Sequence, residues 1–368
     1  MMPPMNCTPL HANHTDLNAK MTDFAGWDMP LSYSGALDEY QAVRTTVGLF
    51  DVSHMGRFMA EGEGIHFLQR ITTNNVESLA PGQAQYSMVC NHDGGILDDI
   101  LVYRLADNRF LVCANASNRQ KLWEWFQRHD DRSLIANGVI RDQTTTMGQI
   151  AIQGPKSKDV LQQCAGNSFP ALPPRGCVES EILGSHGIIA RTGYTGEHGY
   201  ELYLPASDLP QVWTALLEAG KAAGIKPCGL SARDLLRLEA GFLLYGNDIS
   251  EDTTPLEAGV EWVVEYSKPD FIGKDALLKQ KGAGPARRLI AFEMLQMAVP
   301  RHNYPIAFGE QEIGIVTSGN FFPHKQQGLG MGYVKTPFSK PGTEISVVIR
   351  YRSLPALVAK PPFHKKKL

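Results

Sequence analysis

Residues 84–114 constrain the fold most. Gln85–Cys90, Ile96–Arg104 and Phe110–Ala114 are three short runs rich in apolar and aromatic side chains. Asn91-His-Asp-Gly-Gly, between the first two, is a strong turn signal. Runs this short and this close read as an antiparallel meander. The period then changes. Arg119–His129 carries Leu122, Trp123, Trp125 and Phe126 as the apolar content of an amphipathic helix.

The same reading extends along the chain. Gly187–Arg191 and Tyr200–Leu204 form a second hairpin around Gly193-Tyr-Thr-Gly, and Leu209–Ala223 a helix. Ser231–Leu244 is the clearest helix, with Ser231 and Asp234 resembling a capping box and Gly246 suiting its exit. Lys279–Pro285 is rich in Lys, Gly, Ala and Pro and reads as a linker. It divides the chain into a long first region, 1–278, and a C-terminal region, 285–368. In the latter, Arg288–Phe292, Ile313–Thr317, Leu329–Val334, Glu344–Arg350 and Ala356–Ala359 are strand candidates separated by Gly and Pro. They point to a small antiparallel barrel or sandwich.

Composition removes several function classes. Lys plus Arg is 35 against 38 for Asp plus Glu, so the basic excess of a general nucleic-acid binder is missing. No apolar run approaches the ~18 residues of a membrane helix, and no signal or transit pattern opens the chain, so a cytoplasmic protein is expected. Six scattered cysteines without a Cys-x-x-Cys pair read as buried, reduced thiols. There is no Walker loop, no His-Glu-x-x-His and no Gly-x-Ser-x-Gly, and the histidines show no ligand spacing; no metal is expected.

Three polar positions stand out. Alternation along Ile96–Arg104 puts Asp98 with Ile96, Ile100 and Val102, and Asp99 with Leu97, Leu101 and Tyr103. A carboxylate inside an apolar strand face is costly unless paired or used, or unless an edge or bulge turns it to water, an alternative open for Asp98. Glu201 shares a face with Tyr203, opposite Tyr200, Leu202 and Leu204; pattern alone reads that face as polar and outward. Arg233 sits in the first turn of its helix, where the macrodipole disfavours a cation. That points to an anionic partner or, more simply, to a surface ion pair. These residues define no reaction by themselves.

A set of motifs does more. Phe24-Ala-Gly-Trp-Asp-Met-Pro, Gly48-Leu-Phe-Asp-Val-Ser-His-Met, Gly94-Gly-Ile-Leu-Asp-Asp and Gly193-Tyr-Thr-Gly-Glu-His-Gly-Tyr-Glu occur in this order. Ala232-Arg-Asp-Leu-Leu-Arg-Leu-Glu-Ala-Gly, Leu244-Tyr-Gly-Asn-Asp-Ile, Thr253-Thr-Pro-Leu-Glu-Ala-Gly and Gly330-Met-Gly-Tyr-Val follow. Over essentially its whole length the chain resembles the folate-dependent aminomethyltransferases of the glycine cleavage system. The resemblance implies an α+β fold of three subdomains around a folate site, two in residues 1–278 and a C-terminal antiparallel β-barrel or jelly-roll-like module in 285–368. It implies tetrahydrofolate as co-substrate, the lipoyl carrier protein as partner, and transfer of a one-carbon unit with release of ammonia. It makes Asp99 the catalytic carboxylate and Glu201 and Arg233 folate-binding residues, with Tyr86, Tyr103 and Tyr194 as further pocket residues.

Two features depart from the family pattern. Asn320-Phe-Phe-Pro-His-Lys stands where the family usually has a serine-proline stretch, and the chain ends in a lysine run, Lys365-Lys-Lys. That run and Arg301 are the candidate docking charges for an acidic carrier. The competing readings are a folate-dependent demethylase on the same scaffold and a non-catalytic folate-binding protein. The latter's Lys-Gly-Cys-Tyr motif is not in the sequence.

Overall fold

A computed structural model of the chain describes residues 5–165, 169 and 171–364. The elements begin with β1 (Asn6–Cys7), α1 (His11–Asp16), β2 (Lys20–Phe24), β3 (Trp27–Ser32), α2 (Ala36–Thr45), β4 (Val47–Asp51), β5 (Gly56–Glu61) and α3 (Gly64–Ile71). Next come β6 (Gln83–Cys90), β7 (Ile96–Ala106), β8 (Arg109–Ala114), α4 (Arg119–His129), β9 (Ile140–Asp142), β10 (Met147–Gln153) and α5 (Ser157–Ala165). The chain continues through β11 (Cys177–Ile182), β12 (Ser185–Ala190), β13 (Gly199–Pro205), α6 (Leu209–Ala219), β14 (Ile225–Pro227), α7 (Leu230–Ala240) and α8 (Lys274–Ala283). It closes with β15 (Arg287–Met294), β16 (Pro305–Phe308), β17 (Gln311–Phe322), β18 (Gln327–Lys335), β19 (Glu344–Ile349) and β20 (Arg352–Ala359).

Two compact units result. The first takes the chain up to Gln69, Asn75–Ser87 and Ile100–Leu236; the second takes Arg70–Asn74, Met88–Asp99 and the chain from Arg237.

In the first unit, β10 pairs antiparallel with β13 from Met147↔Pro205 to Gln153↔Gly199, within a sheet ordered β11-β12-β13-β10-β4-β14. Alternation along β13 sends Tyr200, Leu202 and Leu204 to one face, where they bury against Val212, Trp213 and Leu216 of α6. The other face is covered too. Tyr203 packs there with Tyr103, Leu111, Cys113 and Met59, which belong to the sheet β6-β7-β8-β5-β9. Every side chain of β13 up to Leu204 is therefore interior, whichever way it points. Sequence alternation identifies the two faces of a strand but not how many are covered, and this is why an outward Glu201 is wrong.

In the second unit, β15-β18-β17-β16-β19-β20 close into an antiparallel barrel around Phe292, Ile306, Val316, Val334, Val347 and Val358. Closure leaves no edge strand. A bulge between Val316 and Ser318 bends the long β17. The Pro323–Gln326 turn after β17 lies in the divergent stretch. Its Lys325 donates to the Phe363 carbonyl, and His324 Nε2 and Lys325 Nζ lie 3.4 and 3.5 Å from the buried Glu239 carboxylate. The divergent turn is thus bonded to the end of α7 and to the C-terminal segment. Lys365-Lys366-Lys367 lies outside the described residues.

Other expectations need correction. Helix α7 ends at Ala240, not Leu244, because Gly241 takes φ +75° and the Phe242 N–H bonds back to the Arg237 carbonyl. It also begins before Ser231, so Ser231 lies inside the first turn rather than capping it. Residues 279–283 are the second half of α8, with the chain turning only at Gly284, φ +76°. Finally, Cys7 is exposed and Cys164 half-buried; the other four cysteines are buried. Among the described residues, no helix is long and apolar enough to cross a membrane.

The strand carrying the two aspartates starts from a tight seat. An added Cβ on Gly95 would meet the Glu251 carbonyl oxygen at 1.9 Å. Gly95→Ala is expected to cost about 1–3 kcal/mol or more, the range for overpacking against a neighbour that cannot yield. Urea unfolding measures it, and an unchanged midpoint would refute this seating of the turn.

Candidate active site

The first unit buries Glu201 at 6% exposure. An ionised carboxylate in such a place needs donors, and three elements supply them. Gln149 Nε2 of β10 donates to Oε1 at 3.0 Å. Thr192 Oγ1 donates to Oε2 at 2.5 Å, and Tyr103 Oη of β7 donates to Oε2 at 3.3 Å. Behind them, Gln149 Nε2 also reaches Tyr203 Oη at 3.1 Å, and Tyr203 Oη donates to Tyr103 Oη at 2.9 Å. Burial, then the charge of Glu201, raises Tyr103 well above the usual phenol range. Tyr203 is raised by burial and by Cys113, Tyr103 and Glu201. Both phenols stay protonated and able to donate. Oε2 thus accepts two bonds and Oε1 one, which leaves Oε1 a lone pair for a ligand.

The loop before β13 is held by close packing. An added Cβ on Gly193 or Gly199 would meet the Gln153 side-chain amide at 2.1 or 2.3 Å, so any larger residue would have to displace that amide and its bonds. Gln153 Nε2 donates to the Thr192 carbonyl at 3.1 Å, and Thr195 Oγ1 donates to Gln153 Oε1 at 2.7 Å. Arg44 Nη1 ties the same loop through the Thr195 carbonyl at 2.7 Å and Glu197 at 3.1 Å. The result presents Thr192 to Glu201 and sets Tyr194 under Arg233, whose guanidinium lies 4.6 Å from the ring centroid. Arg233 is half-buried on α7, not in a surface ion pair. Burial lowers its guanidinium from the usual value, against the opposing pull of Tyr194, Glu201 and Cys113.

The segment Asp51–His54 supports the floor of this cluster. Asp51 Oδ2 accepts from Thr8 Oγ1 at 2.6 Å and lies 2.9 Å from His14 Nε2, whose other ring nitrogen is 2.8 Å from Tyr33 Oη. Asp51 Oδ1 accepts the Ser53 N–H at 2.8 Å, and Ser53 Oγ bonds both the carbonyl and the N–H of Gln149. Burial and the charge of Arg233 push His54 down to about 3, so it is neutral at ordinary pH.

In the second unit, Asp98 is fully buried, which removes the water-facing alternative for it, and Asp99 is half-buried. Tyr245 lies among carboxylates there. Its hydroxyl donates to the Ile96 carbonyl at 3.0 Å, and burial, Glu251, Asp98 and Asp99 all raise its phenol.

Comparison with known proteins decides the family. Residues 10–268 match the GCVT N-terminal domain, and residues 287–365 match the glycine cleavage T-protein C-terminal barrel domain. The chain belongs to the glycine cleavage T-protein family. It is 45% identical to the aminomethyltransferase of Halothermothrix orenii, over 98% of this chain and 100% of that one. It is 44% identical to that of Bacteroides fragilis at the same coverage. The crystal structure of glycine cleavage system aminomethyltransferase T from Bartonella henselae superposes with a TM-score of 0.90 at 33% identity, covering 99% of both chains. The protein is therefore an aminomethyltransferase, with the mixed α and β fold and closed C-terminal barrel of that family.

Of the residues singled out in the sequence, Glu201 and Tyr103 are directly bonded, and Arg233 stacks on Tyr194. Tyr86 is half-buried on β6 of the same unit; Asp99 belongs to the second unit. Sequence reading missed Gln149, Thr192 and Tyr203 as partners of the carboxylate. Only Gln149 carried a signal, as a polar side chain within the apolar run Met147–Ile152.

Asp51 gives the site a pH signature. Burial pushes its carboxyl up, but the bonds and charge of His14, with Thr8 and Ser53, outweigh that and hold it at about 2 against 3.8 for the free side chain. A carboxyl depressed by folding stabilises the native state above its unfolded value. That stabilisation is lost as pH falls from about 4 to about 2, and amounts to about 2 kcal/mol. Urea unfolding at several pH values is expected to show a steeper acid limb for the wild type than for Asp51→Asn. Equal limbs would contradict the ionised Asp51.

Proposed function

We propose that this aminomethyltransferase moves the one-carbon unit of an aminomethyl group, borne on the dihydrolipoyl arm of the lipoyl carrier protein, to tetrahydrofolate. The products are 5,10-methylenetetrahydrofolate, ammonia and the dihydrolipoyl carrier. The observation that carries this reading is the lone pair left on Glu201. A pterin offers an amino group and a ring N–H side by side, and Glu201 Oε1 accepts one of them as it stands. A second bond, at Oε2, asks Tyr103 to give way. Its hydroxyl has Thr192 Oγ1 at 3.1 Å as a ready alternative. Charge-assisted bonds of this kind contribute about 1.5–3 kcal/mol each. Arg233, steadied on Tyr194, supplies the cation of the pocket, and Tyr86 contributes to its wall.

Asp99 is assigned the chemistry. The transferred carbon lies between sulfur and nitrogen and gains positive charge as either bond breaks. A carboxylate there stabilises that charge, orients the attacking folate nitrogen or takes its proton. Positioning of two large carriers supplies much of the remaining acceleration. The substrate arm is a reduced dithiol, which fits a reducing, cytoplasmic setting and cysteines kept as thiols. The region 1–278 would then hold the folate site, and 285–368 the barrel.

Two variants separate binding from chemistry. Asp99→Asn is expected to bind tetrahydrofolate but to lose about 10²-fold or more in turnover with aminomethylated carrier. Glu201→Gln is expected to weaken folate binding by about tenfold or more, from one lost charge-assisted bond. Calorimetric titration and single-turnover assays read the two effects. Normal turnover in Asp99→Asn would remove Asp99 from the chemistry.

A further inference from the structure

Arg57 is the least explained residue in the interior of the first unit. It is 0% exposed. Its Nη2 donates to the carbonyls of Ser53 at 2.8 Å and Thr144 at 2.6 Å. Its Nε and Nη1 have no hydrogen-bond partner among the described residues, and no ion pair forms at Arg57. Burial pulls the guanidinium down to about 10, so it still carries its charge at neutral pH. The charges of Asp51 and Asp142 favour it from a distance, but a buried cation without a carboxylate in direct contact is expensive, and an apolar chain of the same length would fill the space at lower cost. Stability alone does not account for it.

Its neighbours do. Arg57 lies directly opposite Cys113 in the β5–β8 register, so their side chains share a face. That face is the one on which Met59, Cys113, Tyr103 and Tyr203 pack. Cys113 Sγ in turn lies 3.6 Å from Gln149 Oε1, and the other end of that amide, Nε2, donates to Glu201. A side-chain amide can turn either end to a neighbour, and surrounding charge decides which. Here the oxygen end faces the side of the buried cation and the N–H end faces the buried carboxylate. Cation, amide dipole and carboxylate stand in series, each favouring the orientation of the next.

We propose that Arg57 is a positioning residue for Glu201, acting through the Gln149 amide to hold the carboxylate aimed at the folate. This rests on the reading of Glu201 as the folate-binding carboxylate. The role differs from that of a buried packing residue in one respect: its effect on binding must run through Gln149.

The test is calorimetric titration of the full-length protein with tetrahydrofolate at pH 7, with thermal midpoints measured alongside. The variants are Arg57→Met, Arg57→Gln, Arg57→Lys, Gln149→Met, the Arg57→Met/Gln149→Met pair and Glu201→Gln. Arg57→Met and Arg57→Gln are expected to weaken binding about tenfold, the scale of one charge-assisted contact, without a lower thermal midpoint. Arg57→Lys, which keeps the charge, is expected to recover most of that loss. The double variant is expected to bind no more weakly than Gln149→Met alone, because residues acting in series are not additive. Wild-type affinity in Arg57→Met and Arg57→Gln, with Glu201→Gln weakened, overturns the inference and leaves the folate reading standing. So do additive losses in the double variant. Wild-type affinity in Glu201→Gln as well overturns both.

Discussion

The burial of one carboxylate organises the first unit. Glu201 lies on a strand whose two faces are both covered, so its charge has no water to lean on and must be met by donors. Those donors come from β10, from β7 and from the loop before β13. Each is in turn held from behind. Gln149 is fastened through Ser53 to the Asp51 network, and Thr192 is fixed by a loop whose glycines at 193 and 199 lie against the Gln153 amide. A network of this kind is worth having only when every member is satisfied, because a partly satisfied one costs more than an apolar core.

The electrostatics of the cluster point the same way. Two phenols remain protonated and donate toward the carboxylate, while His54 is kept neutral by burial and by the nearby guanidinium of Arg233. Asp51 is kept ionised by His14, Thr8 and Ser53 and anchors the chain next to Gln149. Arg233 feels the charge of Glu201, and Arg57 feels those of Asp51 and Asp142. In the second unit, Asp98 and Asp99 share their surroundings with Glu251 and Tyr245, whose phenol they help keep protonated.

Much of the fold was legible, for identifiable reasons. Helix α4 is legible because Leu122, Trp125 and Phe126 give one apolar stripe with no competing signal. The meander strands were read closely because turn residues bound them. Helix α7 was overrun because Phe242, Leu243 and Leu244 prolong its apolar pattern past the left-handed Gly241. Half of α8 was mistaken for a linker because its Lys-Gly-Ala composition resembles one. The strand β16 was missed, being four residues long and opening on a proline. At the site, Asp98 and Asp99 stand out because each interrupts an apolar strand face, whereas Glu201 reads as an ordinary outward residue. Thr192, Tyr203 and Arg57 are likewise ordinary residue types, and only tertiary packing gives them their work.

Glu201, as held by Gln149 and Thr192, is proposed to receive the folate ring. A crystal structure of the protein with tetrahydrofolate tests it most directly. Pterin N–H groups are expected on Glu201 at hydrogen-bond distance, with the Gln149 and Thr192 bonds kept and the Tyr103 hydroxyl turned toward Thr192. A pterin bound away from Glu201, with the carboxylate still closed off by its three donors, would contradict it.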